Sequence, residues 1–132
     1  MNDLNNIQKQ ITALQEQLDN LNKGDYDWDN APIICELNGF KWLLGPKAPF
    51  SLNWNDAIEW CKRVGGELPP RDILLLSYMK EEIKKEFAAT DYWSSTEFSA
   101  TDAWAQYFSL GTQSYYNKAD LGYVRAVRRL AI

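Results

Sequence analysis

Residues 91–132, which begin DYWSST and close with YVRAVRRLAI, decide the fold of this chain. The stretch is dense in Trp, Tyr, Phe, Ser and Thr and contains no Pro. Several short runs alternate bulky and small or polar residues, and each run ends in a turn-forming group. Such alternation is typical of antiparallel strands that bury one face. It predicts strands at 92–96, 103–110, 113–117 and 123–130.

Upstream of this block the sequence predicts a hairpin. Residues 33–37 and 40–44 are separated by Asn38-Gly39, which supplies the positive φ angles of a tight two-residue turn. We expect Gly45-Pro46 to end the second strand.

Two helices should follow the hairpin. Asn53 can cap the first, and Gly65-Gly66 should end it. The second opens near Arg71, and the charged residues 80–87 predict one or two helical turns at the surface. A hairpin, two helices and an antiparallel block together form an α+β domain, with two helices packed on short antiparallel sheets.

An apolar stripe at the coiled-coil period runs through residues 1–24. Its members are spaced three and four apart: Leu4, Ile7, Ile11, Leu14, Leu18 and Leu21. A lone helix of this length is marginal in water, so another copy of the helix or the chain's own domain must cover the stripe. The narrow stripe and the very polar remainder favour another copy. We therefore predict a coiled-coil homo-oligomer, with a trimer favoured.

The predicted organisation has three parts. The coiled coil at residues 1–24 is followed by a linker at 25–32, whose Trp28 should pack against the globular domain at 33–132. A domain of this size needs no metal or disulfide to fold.

Composition argues against several classes of function. The formal net charge of −4 is unlike that of a sequence-independent nucleic-acid binder. No apolar run approaches the roughly 20 residues that span a bilayer, and the N-terminus does not read as a signal peptide. We expect neither a direct nucleic-acid partner nor a membrane, and a cytoplasmic chain or one delivered outside general secretion.

The chain also lacks the usual parts of a catalytic or metal site. It has no His, and Cys35 and Cys61 lack metal-ligand spacing. We expect no enzyme activity, no catalytic residues, no metal ligands and no cofactor. The thiols are interpreted as small apolar residues, with a disulfide between them as the alternative. The three arginines Arg125, Arg128 and Arg129 are expected to be structural, pairing with acidic residues or stacking on Trp, with an anion clamp as the alternative.

Five blocks resemble a known family when they are read in order. They are Trp54-Asn55-Asp56-Ala57 with Cys61, the run GELPPRDIL at 66–74, YWSSTE at 92–97, Ala103-Trp104, and VRAVRR at 124–129. This order resembles the Lcl C-terminal domain family, a bacterial and phage group, over residues 33–130. Pro70 departs from the pattern, which usually has Thr after Leu-Pro.

The resemblance implies a C-type-lectin-like domain, the superfold of formylglycine-generating enzymes and of phage variable receptor-binding proteins. The reactive cysteine pair of the former lies late in the domain, whereas no Cys follows Cys61 here. The Trp-Asn-Asp triplet of lectin calcium sites also lies late, whereas residues 54–56 lie early and are expected to begin a helix instead.

The candidate ligand-binding surface is the strand at 113–117. Adjacent Tyr115 and Tyr116 point to opposite faces, so at least one should lie outside the core. Tyr, Ser and Asn form a mixture that paratopes favour, and the resemblance implies that ligand meets the exposed face of this region. The candidate residues are Tyr107, Gln113, Tyr115, Tyr116, Asn117 and Lys118. Trp93 and Trp104 are assigned to the core, and a plain polar sheet edge is the alternative interpretation.

These observations predict a non-enzymatic, oligomeric module of phage or prophage origin that binds a protein or a glycan. The alternative is a phage-encoded cytoplasmic inhibitor that binds and blocks a host defence or repair enzyme. Either protein would work in the cytoplasm of the host cell or as part of a virion.

Overall fold

The structure is a computed structural model that describes the backbone of residues 2–132 and the side chains of residues 4–16 and 26–132. Its helices are α1 (Asn2–Asp25), α2 (Trp54–Arg63), α3 (Arg71–Met79) and α4 (Glu81–Lys84), with a 3-10 turn at Trp28–Asn30. Its strands are β1 (Ile33–Leu37), β2 (Phe40–Lys47), β3 (Asp91–Glu97), β4 (Asp102–Tyr107), β5 (Gln113–Asn117) and β6 (Arg125–Ala131). The predicted α+β class is confirmed. None of the described helices is both long and apolar enough to cross a membrane.

The strands form two antiparallel sheets of three, in the orders β1-β2-β6 and β3-β4-β5. The last strand therefore leaves the C-terminal block and pairs with the hairpin, with Leu44 opposite Val127. Both residues are buried in one apolar cluster. This pairing joins the early hairpin and the last strand of the domain in one sheet.

The hairpin is confirmed at its turn but not at its far end. Asn38 and Gly39 have φ angles of 54° and 83°, as a two-residue turn requires. Strand β2 does not end at Gly45-Pro46 and continues to Lys47, because an irregularity in its register with β6 accommodates the pair.

Helix α2, the first of the two helices predicted after the hairpin, is capped as predicted. The Asn53 side chain accepts a hydrogen bond of 2.9 Å from the N–H of Asp56, and α2 ends just before Gly65, whose φ is +85°. The charged segment predicted at the surface has an inner side as well. Ile83 and Phe87 are buried, because a spacing of four places them on one side of the turn.

Two apolar clusters fill the domain. One gathers Trp28, Trp54, Trp60 and Trp93, and Cys61 lies within it. The other contains Tyr92, Phe87, Phe108 and the buried aliphatic residues of β2 and α3. Both cysteines are free thiols, with Cys61 buried and Cys35 half-buried, so the alternative of a disulfide is not seen.

Trp28 packs against the domain, as predicted. Its Nε1 donates a hydrogen bond of 3.0 Å to the carbonyl of Val64. Gly45 and Gly66 lie against the ring, and a Cβ on Gly66 would fall 3.0 Å from it. The absence of side chains at these two positions makes room for an indole from the predicted linker.

The three arginines have structural partners, which are of the predicted kinds for Arg128 and Arg129 but not for Arg125. Arg129 forms a two-point ion pair with the Glu67 carboxylate and lies over the Trp42 ring at 4.7 Å. Arg128 lies over the Trp28 ring at 4.4 Å. Arg125 donates to two backbone carbonyls, including that of Gly45 at 2.8 Å.

The apolar stripe of α1 is exposed where the structure describes it. Leu4, Ile7, Ile11 and Leu14 are 74%, 51%, 43% and 64% exposed. The predicted seam residues Leu18 and Leu21 lie outside the described side chains. The chain's own domain does not cover the described part of the stripe. A groove between α1 and α2 is lined instead by polar α1 residues, Thr12, Gln15 and Glu16.

Candidate ligand-binding surface

Strand β5 forms one edge of the second sheet and carries the paired tyrosines. Tyr115 lies opposite Trp104 on β4 and Tyr116 lies opposite Ala103, so the two rings point to opposite faces. Both remain exposed, at 47% and 39%. Each face of the edge therefore presents a tyrosine.

On one face, Phe98, Trp104 and Tyr115 form what we call the aromatic cluster. The Phe98 and Tyr115 rings are stacked with centroids 3.8 Å apart, and Trp104 meets each of them edge-on at 5.6 and 5.3 Å. The guanidinium of Arg71 covers Trp104 at 3.7 Å. Phe98 is 48% exposed, so the cluster presents two half-exposed rings that are already packed together.

Arg71 is itself held in place by Gln113. Its Nε donates to the Gln113 side-chain oxygen at 2.9 Å, and the Gln113 amide donates back to the Arg71 carbonyl at 2.8 Å. The same amide reaches the side-chain oxygen of buried Gln106 at 2.9 Å. Gln113, a predicted ligand-binding residue at the start of β5, thus holds Arg71, at the start of α3, against the Trp104 ring.

Lys118 and Asn117 are also occupied within the chain. The Lys118 ammonium pairs with Glu97 at 3.0 Å, donates to a backbone carbonyl and lies over the Trp54 ring. The Asn117 side chain accepts a hydrogen bond from the N–H of Ala119. Tyr107 is half-buried. Of the six predicted residues, Tyr115, Tyr116 and Asn117 are exposed.

The two tryptophans assigned to the core differ in the structure. Trp93 is buried, and its Nε1 donates to the carbonyl of Leu52 at 2.9 Å. Trp104 is only half-buried, because one side of its ring is covered by Arg71 while its edge faces the exposed rings. It belongs to the aromatic cluster rather than to the core.

Sequence reasoning did not single out Phe98 or Arg71. Phe98 interrupts a polar turn of Ser, Thr, Glu and Asp, and a lone aromatic residue in such a turn is a usable signal. Arg71 was recognised only as a helix start. Its position over Trp104 depends on how α3 packs on the second sheet.

The opposite face carries a small cavity of about 80 Å³, which we call the Asp91 cavity. It is lined by Asp91, Trp93, Tyr116, Asp120, Leu121 and Gly122, with Ala105 in its wall. The Tyr116 hydroxyl donates to Oδ2 of Asp91 at 3.3 Å. The other oxygen, Oδ1, is buried and accepts no hydrogen bond from the described residues.

Burial is the main reason why the pKa of Asp91 is raised, and the hydrogen bond from Tyr116 opposes it. Burial also raises the pKa of Tyr116, and the Asp91 charge adds to this effect. Burial removes more solvation from the Asp91 carboxylate than the hydrogen bond from Tyr116 restores, so a positively charged partner would stabilise it.

The two faces of the edge differ in chemistry, with a hydrogen bond between Tyr116 and Asp91 on one and stacked rings on the other. No three His, Cys, Asp or Glu side chains converge as metal ligands within the part of the chain that is described. Residues 54–56 begin α2, with the buried Trp54 donating to the carbonyl of Ser94 at 2.8 Å. What remains is a rigid aromatic face and an acidic cavity on either side of one strand.

The chain matches no family model, and it matches no curated protein. Among solved structures it is similar to the crystal structure of botrocetin, with a TM-score of 0.47 and 10% sequence identity. The alignment covers 83% of this chain and 98% of botrocetin. The resemblance to the Lcl C-terminal domain family stays a prediction from the sequence.

Proposed function

We propose that this chain is a non-enzymatic binding module of C-type-lectin-like fold that grips a protein or a glycan at strand β5. The aromatic cluster carries the proposal. Phe98 and Tyr115 stay about half exposed although two other clusters complete the core. Apolar surface gains about 25 cal/mol per Å² when it leaves water, so a partner that covered these rings would be stabilised.

The cluster is suited to binding because its rings are held before any partner arrives. Stacking restrains Phe98 and Tyr115. Arg71, which Gln113 holds in place, packs on one face of the Trp104 ring. A preorganised surface loses less side-chain entropy on association. Trp, Tyr and Arg are also the residues most often found at energetic hot spots of interfaces.

We further propose that α1 assembles several copies, with a trimer favoured. The exposed Leu4, Ile7, Ile11 and Leu14 support this, because a stripe left open by the chain's own domain can be covered by another helix of the same sequence. Several heads on one stalk would raise apparent affinity through effective concentration.

The proposed module could act as a phage receptor-binding protein or, as the alternative, as a phage-encoded cytoplasmic inhibitor of a host defence or repair enzyme. The identity of the partner distinguishes these two roles. Both roles would use the surface around β5. Capture of one soluble enzyme in stoichiometric amount supports the inhibitor, whereas binding to a surface glycan or surface protein supports the receptor-binding role.

The test is capture from host lysate and from a glycan array by the full-length chain, with Phe98→Ala and Tyr115→Ala as variants. We expect one specific partner and at least a tenfold loss of affinity in each variant, since hot-spot truncations cost roughly 2 kcal/mol or more. Met79→Ala is the matched control, because Met79 is 71% exposed at the end of α3. Undiminished binding by both cluster variants would remove the aromatic cluster from the proposal.

A further inference from the structure

We propose that the Asp91 cavity receives the positively charged head group of a lysine or arginine side chain presented by the bound protein. The inference rests on the proposed function and narrows its ligand to a protein with a protruding basic residue. The two sites lie on opposite faces of the edge strand β5, where Tyr115 belongs to the aromatic cluster and its neighbour Tyr116 lines the cavity. A partner that wraps this exposed edge contacts both faces.

Charge is the first argument. Two carboxylates, Asp91 and Asp120, line the cavity, and no Lys or Arg does. Asp91 accepts a hydrogen bond from the Tyr116 hydroxyl, lies opposite Tyr107 on β4 and shares the lining of the cavity with Asp120. None of these groups supplies a positive charge, and Asp91 makes no ion pair within the described part of the chain.

The basic side chains of this region are occupied elsewhere. Lys118 is bound to Glu97 at 3.0 Å and lies over Trp54. Lys47 lies over the Tyr123 ring at 4.8 Å. The chain therefore surrounds Asp91 with apolar walls and a second carboxylate instead of a counter-ion, an arrangement that costs free energy unless a cation from outside compensates it.

Size and shape are the second argument. The volume of about 80 Å³ is large enough to admit an ammonium or guanidinium head group. The Tyr116 ring offers a face to a cation. Leu121, which is 70% exposed, and Gly122 offer an apolar path for the methylene stem behind it.

The charge of the whole chain points the same way. A formal net charge of −4 favours encounter with a basic partner surface and disfavours an acidic one. An uncharged sugar would not supply a counter-ion to the Asp91 carboxylate. We therefore assign the cavity to a basic side chain of a protein.

The experiment is a TROSY titration of the ¹⁵N-labelled full-length chain with n-butylammonium chloride and, separately, with methylguanidinium chloride. We expect saturable shifts at the backbone amides of Tyr116, Leu121 and Gly122. Potassium chloride and n-butanol serve as probes for a bare cation and for a neutral alkyl group. Equal shifts with either of them, or no shifts with both organic cations, would overturn the inference.

Two variants sharpen the titration. Asp91→Asn keeps the shape and removes the charge, and we expect at least a tenfold loss of affinity for n-butylammonium. Asp29→Asn removes an exposed carboxylate from the turn at Trp28–Asn30 and should bind like the wild type. Equal affinity in Asp91→Asn and the wild type would contradict the assignment.

A second measurement keeps the inference testable if Asp91→Asn does not fold. In an Asp120→Asn chain, Asp91 is the remaining carboxylate that lines the cavity. Affinity for n-butylammonium should fall as the pH is lowered through the pKa of Asp91, because a protonated carboxyl no longer attracts the cation. An affinity that stays constant as Asp91 is protonated would exclude its carboxylate as the binding group.

The outcomes separate this inference from the proposed function. If capture of a partner depends on Tyr115 but the cavity ignores organic cations, only the assignment of the cavity fails. If capture is unchanged in the Phe98 and Tyr115 variants, the aromatic cluster fails as the proposed binding site, whatever the titration shows.

Discussion

The charged form of Asp91 lowers the stability of the free protein, whereas the proposed binding of a basic side chain requires that charge. Its carboxylate is half-buried, receives one hydrogen bond from Tyr116 and leaves Oδ1 without a donor among the residues that the structure describes. The folded protein therefore holds the charged form at a cost, which is why the pKa of Asp91 lies above its ordinary value.

Replacing Asp91 by Asn should stabilise the free protein at neutral pH. Because the folded-state pKa is raised, the native state binds a proton more readily than the unfolded state, and the wild type loses stability as the pH rises between the two pKa values. Below both values the wild-type side chain is protonated in each state, so the gain in Asp91→Asn over the wild type should vanish. Urea unfolding at pH 7 and at pH 3 measures the difference. A gain of equal size at both pH values would show that the charge is not its source.

Trp28 shows how much one side chain can connect. It belongs to the predicted linker, yet it is buried, donates to the Val64 carbonyl and supports Arg128 on its ring. Gly45 and Gly66 permit its close approach, since a side chain at either position would run into the indole. The packed domain therefore begins before β1.

At the scale of elements, β5 combines a regular strand with two different faces. Its cross-strand partners on β4 are Trp104 for Tyr115 and Ala103 for Tyr116. The large partner builds the aromatic cluster, and on the other face the Tyr116 hydroxyl extends to Asp91 on β3. A slip of one residue would exchange these environments, so the register determines both sites.

Helix α2 offers a test of a local signal. Asn53→Ala removes the side-chain oxygen that accepts from the N–H of Asp56, and it should lower the free energy of unfolding by about 0.5–2 kcal/mol. Asn55→Ala, at an exposed position of the same helix, should change it by no more than about 0.5 kcal/mol. Urea unfolding followed by Trp fluorescence compares the two. A loss of equal size in both variants would contradict the assignment of the cap.

For the whole molecule, the proposed role of α1 is to hold several heads together. A helix of 24 residues is about 36 Å long at 1.5 Å per residue, comparable to the diameter of a small domain. Its described apolar stripe faces away from the groove with α2 and remains open.

Static light scattering of the full-length chain should give a mass that is a multiple of the 15.3 kDa of one chain, with three copies favoured. Ile7→Asp combined with Ile11→Asp places charges in the proposed seam and should produce a monomer with unchanged near-UV circular dichroism from the head. Glu16→Lys changes a charge on the groove side of α1 and is the control. A monomeric wild type at micromolar concentration would contradict the stalk.

Several features followed from the sequence by itself because their causes are local. Asn38-Gly39 makes the turn through its allowed φ angles, and Asn53 caps α2 through a neighbour three residues away. The adjacent Tyr115 and Tyr116 of β5 point to opposite faces because successive side chains of a strand alternate. Each depends on the conformation or periodicity of a few adjacent residues.

Only the tertiary structure decided which distant residues meet. It paired β6 with β2 instead of with the C-terminal block, brought Arg71 over Trp104, and placed Asp91 beside Tyr116. These contacts depend on strand register and on how helices pack across a sheet, and no local pattern encodes either. The adjacency of Tyr115 and Tyr116 predicted that at least one of them would be exposed, whereas the aromatic cluster and the Asp91 cavity exist because the fold assembled three strands around them.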